Sequence, residues 1–400
     1  MKTQDLYNAV LVRHSGEIGI KSRKTRSRMV WLLNKAIREK IAHFDVKSVE
    51  NYQTRTIISS KEPSTIAKHV ASYIPGVHSA SPVLMVFSTS LEVLSTEIVR
   101  YALTLLKSGM SFGIKVRRSG THSFTSMELG KILGSAVFEG ASAVGLKNTT
   151  VDLKTPDRMI FVEVKENRTF ISHEFFYGFE GLPLGTQGIV FGGLRPWLED
   201  YIAVGLMLRK GVYVSPVFFK TGLESFFEKE KDSLYNLLPN NLRQSATVID
   251  LESDFLIQWK EKFTSEELCQ ACHLFTEALL EEACVSQQDK IGIVTGTSLN
   301  DTHPTVIRFL DLITGAPRFR PGLLSLSNLP RHPQGLFQET KDRARSCCRL
   351  QTQRYGAPLS EAVLLHSETI RKLAHDLVER HFIPNTHLQQ ISDEMKPSYS

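Results

Sequence analysis

The apolar residues of this chain change period repeatedly, from strand-like alternation to helical spacing and back, and that pattern restricts it to mixed α/β architectures. Ala9-Val-Leu-Val-Arg13 reads as a strand. Met29, Leu32, Leu33, Ala36, Ile37 and Ile41 then recur at helical spacing within Arg28 to Phe44, and Thr56-Ile57-Ile58 returns to strand character. Ser64–Tyr73 is helical again, Pro75-Gly76 is a turn, and Pro82–Phe87 is another strand. A β-α-β-β-α-β order over roughly 80 residues is that of a small ferredoxin-like α+β unit.

A second unit opens with helix Leu91–Lys107 and strand Ser111–Val116, followed by helix Ser126–Gly140 and strands Val151–Leu153 and Ile160–Val164. Tyr177-Gly-Phe-Glu-Gly-Leu-Pro-Leu-Gly185 holds three glycines and a proline, which marks the boundary of a C-terminal domain. Beyond it, the apolar runs Gly188–Gly192, Tyr213–Phe219, Thr247–Ile249 and Lys290–Val294 alternate with helical stretches, as in a doubly wound, largely parallel α/β sheet. Gln389 to Ser400 is polar and reads as a frayed tail.

Composition narrows the function classes. At 400 residues with 42% hydrophobic and 22% charged positions, the chain is neither disordered nor collagen-like. Its longest apolar runs, such as Val83–Phe87, fall far short of the roughly 20 residues that span a bilayer. The polar N-terminus MKTQDLYNAV lacks a signal-like apolar core, and 5 cysteines do not make a disulfide scaffold, so the expected location is the cytoplasm. The net charge of +6 is concentrated. Lys21, Arg23, Lys24, Arg26 and Arg28 form one cluster, Lys115, Arg117 and Arg118 a second, and Arg343, Arg345 and Arg349 a third. One such run is ordinarily a solvated helix face; three together point towards a polyanion such as nucleic acid. At a strand end, Lys115, Arg117 and Arg118 alternate between faces, which leaves two cations on one edge to position an RNA backbone without reading its sequence.

Several motifs resemble the tRNA 4-thiouridine synthetase family, in its archaeal-type branch. Gly16-Glu17-Ile-Gly-Ile-Lys21 is similar to that family's opening motif. Phe112-Gly-Ile-Lys115-Val-Arg117-Arg118, Ser126–Gly134 and Pro156-Asp157 with Val162-Glu163-Val164 resemble its THUMP domain. Gly181-Leu-Pro183-Leu-Gly185-Thr-Gln187, then Thr295-Gly296-Thr-Ser-Leu299 and Phe319-Arg320-Pro321, resemble its PP-loop (adenine nucleotide α-hydrolase-like) domain. The resemblance implies an N-terminal ferredoxin-like domain over 1–76, a THUMP RNA-binding domain over 77–173, a PP-loop domain over 174–385 and a flexible tail over 386–400. It also implies that the first two domains hold the acceptor end of tRNA, with Lys21, Arg23, Lys24, Arg26, Lys115, Arg117 and Arg118 as the RNA-binding set.

The ATP loop of that family has the form Ser-Gly-Gly-x-Asp-Ser between a strand and a helix, because glycines let backbone N–H groups approach a phosphate at a helix N-terminus. Counted without gaps, the loop falls on Arg195-Pro196-Trp197-Leu198-Glu199-Asp200. Proline removes a donor, tryptophan fills the phosphate volume, and two carboxylates in the first helical turn repel a polyphosphate. A register shifted by three recovers Gly192-Gly193 but puts Phe191 on the serine, Arg195 on the aspartate and Pro196 on the last serine. The expectation is a degenerate PP-loop impaired in ATP binding; the contrary reading keeps a working site with Arg195 as a phosphate fork. Asn300-Asp-Thr-His-Pro-Thr305 departs from the family pattern as well.

Cysteines carry the remaining chemistry. Cys269-Gln-Ala-Cys272 is a C-x-x-C, and Cys347-Cys348 follows well downstream. In the archaeal-type branch three cysteines hold an iron–sulfur cluster with one open iron for sulfide, which implies Cys269, Cys272 and Cys348 as ligands and Cys347 or Cys348 in sulfur transfer. Cys272 also falls on the stripe Leu268, Cys272, Phe275 and Leu279, which a helix core would use equally well. Cys284 has no counterpart in that pattern and reads as a core residue. Two functions compete: a tRNA-binding protein without ATP-driven uridine activation, and a tRNA sulfurtransferase forming 4-thiouridine at position 8. The expected partners are tRNA, a catalytic or sulfur-donor protein and a second copy of the chain, with no membrane.

Overall fold

The computed structural model describes residues 3–52, 54–196, 198–221, 228–239, 246–286, 292–296, 318–319 and 360–381. The chain divides into two compact units, Met1–Arg26 with Asn34–Glu180, and Ser27–Leu33 with Gly181–Ser400.

The first unit begins with β1 (Ala9–His14), whose six residues are all buried, a short α1 (Gly16–Gly19) and α2 (Arg23–Lys40). α2 starts at Arg23 rather than the predicted Arg28 because the Ser22 hydroxyl accepts the N–H of Thr25, and such a cap lets the helix begin inside a polar run. There follow β2 (Val46–Tyr52), β3 (Arg55–Ser60), α3 (Pro63–Tyr73, with proline in its first turn) and β4 (Val77–Val86). These strands lie in the order β2-β3-β1-β4, with β1 antiparallel to both neighbours. β2 has no apolar signal in the sequence because it is the sheet's edge and buries little of either face.

β4 joins the two N-terminal domains. Its first part pairs with β1 from Val77 to Val83, and its last part pairs with β8 (Arg168–Ser172) from Leu84 to Val86. The remaining elements are α4 (Leu91–Ala102), β5 (Ser111–Ser119), α5 (Ser126–Ala143), β6 (Thr150–Val151), β7 (Arg158–Lys165) and β9 (Phe176–Tyr177). The ferredoxin-like and THUMP portions therefore share one nine-stranded sheet. α5 opens with a reciprocal capping box between Thr125 and Glu128. Its buried residues Leu129, Leu133 and Val137 join Phe112, Ile160, Val162 and Val164 in the core under the sheet. Within that core the Tyr7 and Tyr101 hydroxyls reach His173 Nδ1 at 3.0 and 2.8 Å, tying together the chain start, α4 and the end of β8.

The second unit holds β10 (Ile189–Leu194), α6 (Leu198–Arg209), β11 (Tyr213–Lys220), α7 (Glu228–Leu237), β12 (Thr247–Asp250), α8 (Ser265–Ser286), β13 (Gly292–Val294) and β14 (Arg318–Phe319). Its five strands run parallel in the order β12-β11-β10-β13-β14. The expected doubly wound sheet is thus present, and its strand order reverses between β10 and β13. In such sheets the crevice beyond the strand ends at that reversal is where ligands bind. Among the described residues no helix is long and apolar enough to cross a membrane.

Candidate functional site

In the first unit a pocket of about 730 Å³ opens beyond the end of β1. Arg13 and His14 end β1, and Ser15, Gly16 and Glu17 of the opening motif follow them into the wall. β3 contributes Arg55, β5 Lys115 and Arg117, and β7 Phe161 and Glu163, while Phe175 and Tyr177 add aromatic surface. The alternation of β5 sorts its three cations: Lys115 and Arg117 line the pocket, whereas the Arg118 guanidinium donates to the Gly120 carbonyl at 3.2 Å. Lys21, Arg23, Lys24 and Arg26 lie at the α1–α2 junction, outside this lining.

Glu163 organises the cations. Arg13 Nε donates to its Oε1 at 2.8 Å, Arg13 Nη1 to Ser81 Oγ at 2.9 Å, and Arg55 Nη2 lies 3.8 Å from its second oxygen. The Arg13 guanidinium also sits 4.5 Å from the centre of the Phe175 ring. Both members of the Arg13–Glu163 pair are buried, at 7% and 9% side-chain exposure. Glu180 accompanies His78 Nδ1 at 2.9 Å. One carboxylate thus serves two arginines, and Lys115 and Arg117 add further positive charge at the mouth. Burial, and then the charge of Arg55, also hold the nearby Lys165 below the usual lysine range. Cations beside aromatic faces are the elements from which unpaired nucleotides are held.

His14 sits in the same wall, its Nε2 2.9 Å from Thr56 Oγ1. Burial, and then the charge of Arg55, lower its pKa to about 4, and burial followed by Arg158 lowers His173 to about 4. Both rings are neutral in the folded unit at pH values where an unfolded chain already protonates them. Their contribution is complete above about pH 6.5 and is lost as pH falls towards 4, by up to about 3 kcal/mol for His14 and by less for the more solvated His173. The melting temperature should therefore drop steadily between pH 7 and 4.5. A flat profile in circular dichroism melts would contradict the buried neutral state of both rings.

In the second unit the loop after β10 takes the position expected for a nucleotide loop. Gly192 and Gly193 are not part of it. They pair with Pro216 and Val217 inside the sheet. A Cβ on Gly192 would lie 2.5 Å from a Val214 methyl, and one on Gly193 2.7 Å from a Leu280 methyl. These glycines serve close packing inside the sheet. Arg195 and Asp200 are buried at 4% and 0% exposure. Asp200, in the first turn of α6, reaches back to accept the Arg195 backbone N–H at 2.9 Å, and also accepts the Gly296 N–H at 2.7 Å. The Arg195 guanidinium closes on the same carboxylate through Nε at 2.9 Å and Nη2 at 3.0 Å, with Nη1 2.7 Å from His273 Nδ1 on α8. Two amides at the strand reversal are thus bound to the protein's own anion. Pro196 is buried beside them, and Trp197 lies outside the described residues. Leu198 and Glu199 open α6.

Cys269 and Cys272 stand one turn apart on α8, the first half-exposed and the second buried. Leu268, Phe275 and Leu279 are buried with Cys272, as the helical stripe requires. Burial raises the Cys284 thiol to about 11, which suits a core residue. Cys347, Cys348, the arginines at 343, 345 and 349, and the 300–305 segment lie outside the described residues. Among the described residues no group of three His, Cys, Asp or Glu side chains comes together to hold a metal.

Sequence reasoning passed over Arg13, His14, Arg55, Glu163 and Phe175. The signal for three of them was present: Arg13-His14 ends an otherwise apolar strand, and Glu163 interrupts the apolar run Ile160–Val164. Charges kept inside strands commonly face one another or a ligand.

Known proteins bear on both units. Residues 9–81 match the ThiI ferredoxin-like domain and residues 88–174 match the THUMP domain. The likeness extends over the whole fold to the crystal structure of a 4-thiouridine synthetase–RNA complex with bound ATP, at 17% identity, a TM-score of 0.66 and 97% coverage of each chain. These features define a THUMP-domain protein with a C-terminal doubly wound sheet. A probable tRNA sulfurtransferase of Methanosarcina mazei is 32% identical over 303 residues, 73% of this chain and 72% of that protein. The chain belongs to the tRNA sulfurtransferase family. Coverage of other relatives is smaller: a probable tRNA sulfurtransferase of Methanosarcina acetivorans is 34% identical over 216 residues, 53% of this chain and 50% of its own length. The matched part thus spans about half of that relative.

Proposed function

We propose that this chain is a tRNA-binding member of its family that holds RNA on the pocket of its first unit and does not bind ATP at the loop after β10. The observation that carries the reading is Asp200: its carboxylate already accepts the Arg195 and Gly296 amides that a phosphate would need, and Arg195 neutralises it. ATP does not fit a loop so occupied. The RNA half of the reading is supported by Arg13, Arg55, Lys115 and Arg117 around one pocket, and by relatives whose names state tRNA as the substrate. The sulfur-transfer reading would need an open loop together with Cys269, Cys272 and Cys348.

Fluorescence anisotropy with labelled, unmodified tRNA tests the RNA half. Affinity should fall steeply with salt, because each neutralised phosphate releases counterions. Lys115→Ala combined with Arg117→Ala should flatten the log–log salt slope by about two and weaken binding about tenfold at moderate salt. Arg118→Ala, on the other face of β5, should do much less. Affinity indifferent to salt and to the double change would overturn RNA binding at this pocket.

A further inference from the structure

The charges of the first-unit pocket fall into two groups, and the division constrains how a ligand lies in it. The wall holds four cations, Arg13, Arg55, Lys115 and Arg117, and three carboxylates, Glu17, Glu163 and Glu180. Two of the carboxylates are engaged. Glu163 accepts from Arg13 at 2.8 Å and lies 3.8 Å from Arg55, and Glu180 accompanies His78 at 2.9 Å. Lys115 and Arg117, both on β5, are exposed and make no hydrogen bond or ion pair among the described residues. They are the cations left for an anion. Glu17 and Glu180 stand on another part of the wall, the first in α1 just after β1 and the second just after β9, where they repel one.

That part of the wall also carries an open aromatic ring. Tyr177 lines the pocket and is 62% exposed. Its backbone is fixed, because it pairs with Ser79 on β4 and because a Cβ on the next residue, Gly178, would lie 2.1 Å from the Val77 carbonyl oxygen. The His78 ring, held by Glu180, meets it almost at right angles with centroids 6.3 Å apart. The other two aromatic residues of the pocket are half-buried and engaged: Phe161 and Phe175 pack on one another at 4.6 Å, and Arg13 covers Phe175. We propose that Tyr177 is the base-stacking residue of this pocket: an unpaired nucleotide rests its phosphate on Lys115 and Arg117 and its base against the Tyr177 ring. This rests on the RNA-binding reading of the same pocket. The carboxylates orient the nucleotide, since Glu17 and Glu180 keep phosphate off the Tyr177 wall and leave that wall to the uncharged base. Every base has a π-face, so the pocket selects unpaired nucleotides over paired ones without choosing a sequence.

Fluorescence anisotropy of the full-length chain with two labelled single strands tests the assignment. One is a short oligoadenylate, and the other is an abasic ribose–phosphate chain of the same length and charge. The wild-type chain should bind the oligoadenylate at least about fivefold more tightly, the lower value of one stacked base. Tyr177→Ala should bring that ratio close to one and leave both the affinity for the abasic chain and the salt slope unchanged. Tyr177→Phe keeps the π-face and should keep the ratio. Equal wild-type affinity for the two strands, a measurement that needs no variant, would overturn the inference, as would a preference that survives in Tyr177→Ala. Salt-sensitive binding of both strands with a flat ratio removes only the role of Tyr177. RNA binding untouched by Lys115→Ala with Arg117→Ala removes the pocket reading and this inference together.

Discussion

Replacing Glu163 by alanine should destabilise the first unit by about 3–5 kcal/mol, the usual result of leaving buried cations without their counter-charge. Arg13 is held by Glu163 at 2.8 Å, and Arg55 shares the same carboxylate at 3.8 Å. For a unit of this size that loss lowers the melting temperature by about 10 °C. Glu163→Gln keeps an acceptor and the volume but not the charge, so it should lie between alanine and wild type. The double change Arg13→Met with Glu163→Leu should recover part of the loss, because the apolar pair needs no desolvation of ions while Arg55 still lacks its counter-charge. Thermal melts of wild type, Arg13→Met, Glu163→Leu and their combination give the coupling directly. A Glu163→Ala protein within about 1 kcal/mol of wild type would mean that water or Ser81 replaces the carboxylate, and that β1 and β7 are not locked by this pair.

The pocket also shows where a sequence stops being readable. Lys115 and Arg117 were legible because strand alternation is local, and β5 projects them together as a period of two demands. Arg13, Arg55 and Glu163 come from three strands, and their meeting depends on β4 pairing with β1 at one end and β8 at the other. No local period encodes that shared strand. The start of α2 was missed for a different reason: Ser22 caps a run of cations whose apolar pattern begins only at Met29. In the second unit the strand Tyr213–Lys220 matches its apolar run closely, because a strand buried in a parallel sheet reads as a continuous hydrophobic stretch. The loop chemistry was only half readable. Arg195 suggested a phosphate fork and Asp200 a charge that repels phosphate; side by side in the fold, the two charges satisfy one another.

That mutual satisfaction leads to the second large effect. Millimolar ATP should give no thermal shift with the wild-type chain, because a ligand that does not bind the native state cannot stabilise it. Two physical terms act against the nucleotide. The amides of Arg195 and Gly296 already donate to Asp200, so a phosphate would have to displace a carboxylate that is also paired with a guanidinium. A carboxylate that remained would repel each phosphate charge by about 3 kcal/mol at roughly 5 Å and an effective dielectric near 20. Asp200→Ala alone is a poor test, since it strands the buried Arg195 and should cost several kcal/mol, of the order of 3–5, in stability. The informative variant rewrites Arg195–Asp200 as Ser-Gly-Gly-x-Asp-Ser, which removes both charges of the pair and returns the two amides to the crevice between β10 and β13. If that loop alone blocks the site, the rewritten protein should gain about 2.7 kcal/mol of stability at an ATP concentration one hundred times its Kd, seen as a rise in melting temperature. A rewritten loop that still ignores ATP would assign part of the block to the altered residues 300–305. A clear ATP shift in the wild-type chain would show that Asp200 yields its amides to phosphate, and the sulfurtransferase reading would then stand ahead of the binding one.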